Sequence, residues 1–164
     1  MTTSSADRDA FVATYGALFE HSPWVAADAY ERGPFHDRDD LHAALSAAMR
    51  DAPRERQLAL IRAHPDLAGR AAIEGTLTPD SRREQSSAGL DRLSPEQYEA
   101  FTRTNAAYRE RFGFPFVICA REQDRDSILA AAEARLQRDP EAELETALDE
   151  IAKIARLRLE DLPA

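Results

Sequence analysis

FPFVICA, residues 114–120, is the stretch on which the fold turns. It is short, rich in aromatic and β-branched residues, carries Pro115 and follows the breaker Gly113, so extended backbone is predicted there. Every other periodic stretch of the chain reads as helix, and no second strand is in view to pair with this one. The segment is therefore predicted to pack, extended, among helices. The fold class that follows is all-α, a compact single-domain bundle spanning residues 1–164, with about eight mostly short helices and one extended FPFV segment.

Upstream of that stretch, Ser94-Pro95-Glu96-Gln97 opens the clearest helix, which runs to Phe112 with a stripe of Tyr98, Phe101, Asn105, Tyr108 and Phe112. Downstream, helices are predicted over about 125–138 and 140–161, divided at Asp139-Pro140. The acidic and basic mixture at 140–150 reads as a solvated helix face. Earlier in the chain, residues 7–20 place Phe11, Tyr15, Leu18 and Phe19 on one side of a helix. Ser22 is a natural N-cap with Pro23 at the first helical position, and Gly33-Pro34 stops that run. Residues 38–52 start with acids, which suit the positive end of a helix dipole. Further helices are expected over 54–64, over 66–74 before Gly75, and from Thr78-Pro79-Asp80 to about Ala88.

Composition narrows the function classes. A chain of 164 residues is one domain by length and long enough for a proper core. Its formal charge is −9, from 30 acids against 21 bases, which disfavours nucleic acid as a partner because phosphate binding relies on clustered Lys and Arg. Lys153 is the only lysine; a codon bias is the plain explanation. Cys119 is the single cysteine, so an internal disulfide and a Cys-based zinc site are both excluded. His21, His36 and His42 are scattered without metal-ligand spacing, and no metal site is expected. No apolar run reaches membrane-span length, and MTTSSADRDAF at the start lacks a secretory apolar region. A cytoplasmic protein without membrane contact is expected.

Four places break the helical pattern. In LIRAHPDLAGRAA, residues 60–72, His64 stands before Pro65, which disfavours helical backbone at the histidine. The preceding helix should end there, Pro65 should begin the next, and an imidazole of ordinary pKa about 6.5 would be held at a junction that suits an aimed proton donor. A plainer reading is a helix cap or a partner for a core carbonyl. In TPDSRREQSSAGL, residues 78–90, a helix begun at Thr78 puts Ser81, Glu84, Gln85 and Ala88 on one face. That face could hydrogen-bond a small polar heterocycle; a solvated surface helix and a Ser81–Glu84 capping box are the alternatives. Arg158 lies on an otherwise apolar stripe of Leu144, Leu148, Ile151, Ala155 and Leu162. Its partner is Glu84 or a substrate acid group, unless the side chain snorkels to water. Finally, the extended 114–120 segment leaves backbone groups needing partners, and either a ligand or neighbouring side chains could supply them.

Taken together, AHPDLAG, LTPDSRREQSSAGL, NAAYRERFGFPFVICAR and IAKIARLRLEDL resemble, in order and spacing, the 2-oxo-4-hydroxy-4-carboxy-5-ureidoimidazoline (OHCU) decarboxylases of uric acid degradation. The resemblance covers nearly the whole chain. It implies an all-helical fold, commonly a homodimer, and decarboxylation of OHCU to (S)-allantoin without a cofactor. It places the catalytic histidine at His64, with Pro65 beside the substrate. The S-x-x-E-Q block puts substrate contacts at Ser81, Arg82, Arg83, Glu84 and Gln85, and Glu84 is the second catalytic candidate. The FPFV block puts contacts at Phe116, Val117, Ile118, Cys119 and Ala120, and the arginine of the LRL block is Arg158. Eukaryotic relatives often end in a peroxisomal tripeptide, whereas this chain ends LPA. Two other readings remain: a non-catalytic acidic helical module that binds protein partners, and a different cofactor-free lyase or hydrolase acting on ureides.

Overall fold

The computed structural model describes residues 5–163. The polar opening residues 1–4 and Ala164 fall outside the described residues. Among the described residues, nine α-helices and two 3-10 turns make up the regular structure and no β-strand occurs, as the all-α prediction required. The chain clusters into two compact units, one formed by the residues up to Ala63 together with Ile151 onward, the other by His64–Glu150.

The first unit contains α1 (Ser5–Tyr15), a 3-10 turn (Gly16–Leu18), α2 (Trp24–Tyr30), α3 (Arg38–Asp51), α4 (Arg54–Arg62) and the last turns of α9 (Pro140–Asp161). Its core includes Phe19, Val25, Leu45, Met49, Leu60, Ile61, Ile151 and Leu159; of the stripe expected over 7–20, Leu18 and Phe19 are buried and Phe11 and Tyr15 half-buried. The cap of α2 differs from expectation. Pro23 occupies the N-cap position, and the Ser22 hydroxyl donates to the Glu20 carbonyl at 2.9 Å rather than accepting from the helix. Asp37 caps α3 by accepting the Asp40 N–H at 2.8 Å. Arg38 closes the end of α9, donating to the carbonyls of Leu159 at 2.9 Å, which also accepts the Leu162 N–H, and of Leu162 at 2.6 Å just past the helix.

The second unit contains α5 (Arg70–Glu74), α6 (Pro79–Ser87), α7 (Pro95–Phe112), a 3-10 turn (Ala120–Glu122), α8 (Arg125–Arg135) and the first turns of α9. Caps read from the sequence set these helices. Thr78 accepts from the Ser81 N–H with Pro79 in the first turn of α6, and Ser94 and Gln97 form a reciprocal capping box on α7. Gly113, at φ 77°, ends α7 in the left-handed conformation that glycine adopts without a Cβ penalty. Residues 115–119 then run without helix or strand, buried from Phe114 to Ala120. The α7 stripe buries Phe101, Asn105 and Tyr108, whereas Tyr98, at its outer end, is exposed.

Candidate active site

The turn that carries His64 is built differently from the junction predicted. α4 ends at Arg62 with Ala63 as its C-cap, and helix resumes only at Arg70, so residues 64–69 form a non-helical turn instead of the start of a helix over 66–74. The cause lies at Ala68, whose φ of 54° is left-handed, a conformation costing a non-glycine residue roughly 1–2 kcal/mol and incompatible with continuing a right-handed helix. Gly69 is required one position later, because a Cβ there would sit 2.6 Å from the Asp66 Cβ.

Side chains from two helices hold this conformation. The Gln85 amide oxygen accepts the Ala68 N–H at 2.9 Å, and its nitrogen donates to the Asp66 carbonyl at 3.4 Å. Asn105 of α7 donates to the Leu67 carbonyl at 2.9 Å. Arg109, one turn further on, donates through Nε to both carboxylate oxygens of Asp66 at 3.0 and 3.3 Å. His64 itself is only 7% exposed. No cluster of His, Cys, Asp and Glu suited to a metal occurs among the described residues.

α6 turns its polar face inward. Ser81, Glu84, Gln85 and Ala88 are all buried, as the helical spacing placed them, which rules out a solvated helix on that side. Thr78 caps the helix, so Glu84 is not part of a capping box. Arg82 and Arg83 lie on the exposed side, where Arg82 donates to the Gly75 carbonyl at 3.1 Å and Arg83 pairs with Asp80. A cavity of about 680 Å³ opens beside this helix, with Ala68, Gln85, Leu90 and Tyr98 in its lining. Gln85 is the member of the buried polar trio that reaches it; Ser81, Glu84 and His64 are not among its lining residues.

The buried segment over 114–120 finds partners in side chains. Arg135 donates to the Val117 carbonyl at 2.8 Å, and the Cys119 N–H donates to Glu150 at 3.3 Å. The guanidinium of Arg135 lies 4.5 Å from the centre of the Phe116 ring and pairs with Glu143. Glu143 also accepts from the Tyr108 hydroxyl at 2.6 Å and from Arg138 at 3.4 Å. Burial, followed by the hydrogen bond to Glu143, pushes the Tyr108 phenol far above its usual range, so it stays a donor. The prediction of a solvated face at 140–150 is therefore wrong at two positions: Glu143 is fully buried and Glu150 nearly so. The signal was present, because Glu143, Ala147, Glu150 and Ile154 follow the same 4-3-4 steps as the apolar stripe beside them. The 3-10 turn at Ala120–Glu122 packs against α6, bringing the end of the FPFV block to the helix of Ser81, Glu84 and Gln85.

Arg158 belongs to the first unit and is 4% exposed, so it does not snorkel. Its Nη2 donates to Glu20 at 2.9 Å and its Nη1 to the Ala17 carbonyl at 3.3 Å. Glu20, a buried carboxylate that the apolar pattern did not mark, takes the place predicted for Glu84 in this ion pair. Arg158→Lys is expected to lower stability by about 2 kcal/mol, because a point charge cannot serve carboxylate and carbonyl together as the planar fork does. An unchanged thermal midpoint would contradict that reading.

The profile of the OHCU decarboxylase family matches residues 4–160. A 2-oxo-4-hydroxy-4-carboxy-5-ureidoimidazoline decarboxylase of Haloferax volcanii is 50% identical over 153 residues, spanning 93% of this chain and 89% of the relative. The mouse (Mus musculus) protein of the same name is 45% identical over 159 residues, spanning 97% and 89%. Among solved structures, a crystal structure of (S)-allantoin synthase superposes with a TM-score of 0.73 at 29% identity. That match covers 97% of this chain, which spans only 50% of the allantoin synthase chain. A crystal structure of OHCU decarboxylase in the presence of (S)-allantoin superposes at 0.68 with 26% identity, over 82% of this chain and 87% of the other. The family match over residues 4–160, together with relatives 45–50% identical over nearly their full length, makes this chain a member of the OHCU decarboxylase family.

Proposed function

We propose that this chain decarboxylates OHCU to (S)-allantoin in uric acid degradation, with His64 as the proton donor. One observation carries the reading: three separate motif blocks meet through α6. Gln85 bonds the turn after His64, Glu84 and Ser81 share its buried face, and the turn that ends the FPFV block packs on the same helix.

The substrate supplies its own electron sink. Its carboxylate sits on a ring carbon beside a C=N bond, so the electron pair released with carbon dioxide passes through that bond to nitrogen, which takes a proton. The ring hydroxyl then gives up its proton and becomes a carbonyl, while the carbon bearing the ureido group is protonated on one face. His64 delivers that last proton and sets the S centre, and Glu84 accepts the hydroxyl proton. Ser81 and Gln85 fix polar edges of the ring, with Arg82 and Arg83 completing the motif. Gln85 retains an amide hydrogen and an oxygen lone pair beyond those used on the turn. Pro65 and the backbone of Phe116, Val117, Ile118, Cys119 and Ala120 line the substrate. Arg158 enters on the family motif, as the group for an anionic or carbonyl edge. The reading includes a homodimer acting without cofactor, a single functional domain and a cytoplasmic location. No helix among the described residues is long and apolar enough to cross a membrane.

Following OHCU absorbance with and without the protein, beside the hydroxyisourate precursor, tests the reading. Acceleration confined to OHCU and unaffected by chelator is expected; acceleration of the precursor alone would replace it with another ureide chemistry. Glu84→Gln keeps the shape and removes the charge, and should slow turnover by about 10²-fold if the carboxylate accepts the proton. Parental turnover in that variant would assign Glu84 to substrate placement only.

A further inference from the structure

We propose that Asn105 is a positioning residue for His64, acting with Gln85 and the Arg109–Asp66 pair to fix the turn from which the imidazole projects. The inference rests on the proton-donor reading above and adds a residue that makes no contact in that chemistry.

Three consecutive residues beyond Pro65 are each held from outside the turn. Asp66 is bonded through its side chain by Arg109 and through its carbonyl by Gln85, Leu67 through its carbonyl by Asn105, and Ala68 through its N–H by Gln85. Asn105 makes the bond in the middle, and it is 8% exposed, on a stripe where its neighbours Phe101 and Tyr108 are apolar or aromatic. An asparagine inside a helix is disfavoured relative to leucine or alanine, and a buried amide costs free energy unless bonded, so the position gains only through what the amide holds. That anchor is short-coupled to the histidine. Proline fixes φ at residue 65 and restricts the backbone of residue 64, which leaves few soft dihedrals between the held Leu67 carbonyl and the His64 side chain. Ala68 at φ 54° would relax if those bonds were lost, and a relaxed turn moves whatever it carries. Displacing a reacting group by about 1 Å can cost on the order of 10²-fold in rate.

The test uses the full chain with Asn105→Ala, read by steady-state kinetics and by the imidazole resonances in a nitrogen–proton NMR spectrum. The His64 signal is assigned as the one missing from His64→Gln. The expected result is a kcat lowered by about tenfold or more, with KM within about twofold and His64 ring signals shifted. The signals of His21, His36 and His42, which belong to the other unit, should stay in place. A purely structural loss would move all four. Parental kcat with unmoved His64 signals would overturn the inference. If Asn105→Ala does not fold, Arg109→Met carries the test, because that side chain is 46% exposed and its loss leaves the core intact. There a kcat loss of about threefold with a shifted His64 signal is expected, and parental values on both readouts overturn the inference. Full turnover in His64→Gln would instead refute the proton-donor reading itself. An inactive His64→Gln beside a fully active Asn105→Ala would refute only the positioning role.

Discussion

His64→Ala removes the protein-dependent turnover of OHCU, by about 10²-fold or more, while leaving the helix content unchanged. The size follows from the role, since a positioned general acid typically contributes 10²–10⁴-fold. Retention of the fold follows from the construction of the turn. Asp66, Leu67 and Ala68 are each held by side chains of α6 and α7, and those three bonds survive loss of the imidazole. The variant should therefore keep its far-ultraviolet circular dichroism and lose only initial rate above spontaneous decay. Parental rates in a folded His64→Ala protein would exclude the proton-donor role.

Glu143→Ala has the largest expected effect on stability. Glu143 is fully buried and serves the Tyr108 hydroxyl, the Arg135 guanidinium and Arg138 at once. Removing it leaves Arg135 as an unpaired buried cation, the costly half of a broken ion pair, and strands the phenol as well. Losses of that kind run to about 3–5 kcal/mol. In a chain of this length that lowers the melting temperature by roughly 6–20 °C. Activity should fall too, even well below the new midpoint, because Arg135 also holds the Val117 carbonyl and stacks on Phe116 in the segment proposed to line the substrate. A midpoint within 2–3 °C of the parent, about 1 kcal/mol, would show that the network contributes little.

Helix-level structure was legible because it depends on local signals. Thr78-Pro79, Ser94-Pro95 and Gly113 ended or began helices where turn chemistry demanded, and the FPFV segment runs buried without helix or strand. Errors fell where a residue's state depends on a distant partner. Nothing local to Ala68 announces a left-handed residue; it is held by an amide on α6. Ser22 looked like a cap but bonds backward to Glu20, and Glu20 in turn proved to be the buried partner of Arg158. The α6 polar trio was found because its spacing concentrates polar groups on one face. The buried carboxylates Glu143 and Glu150 were missed because their stretch is crowded with other charges, which masked a helical period that includes them.

Circular dichroism of the product during OHCU decay, with and without the protein, is the most direct measurement. OHCU also decays unaided, so product formation alone decides nothing, whereas protonation from one side must leave one hand of allantoin in excess. The account predicts a growing signal of the S form with the protein and none with His64→Ala. Optically inactive allantoin accumulating at the spontaneous rate in the presence of the parent protein would contradict it.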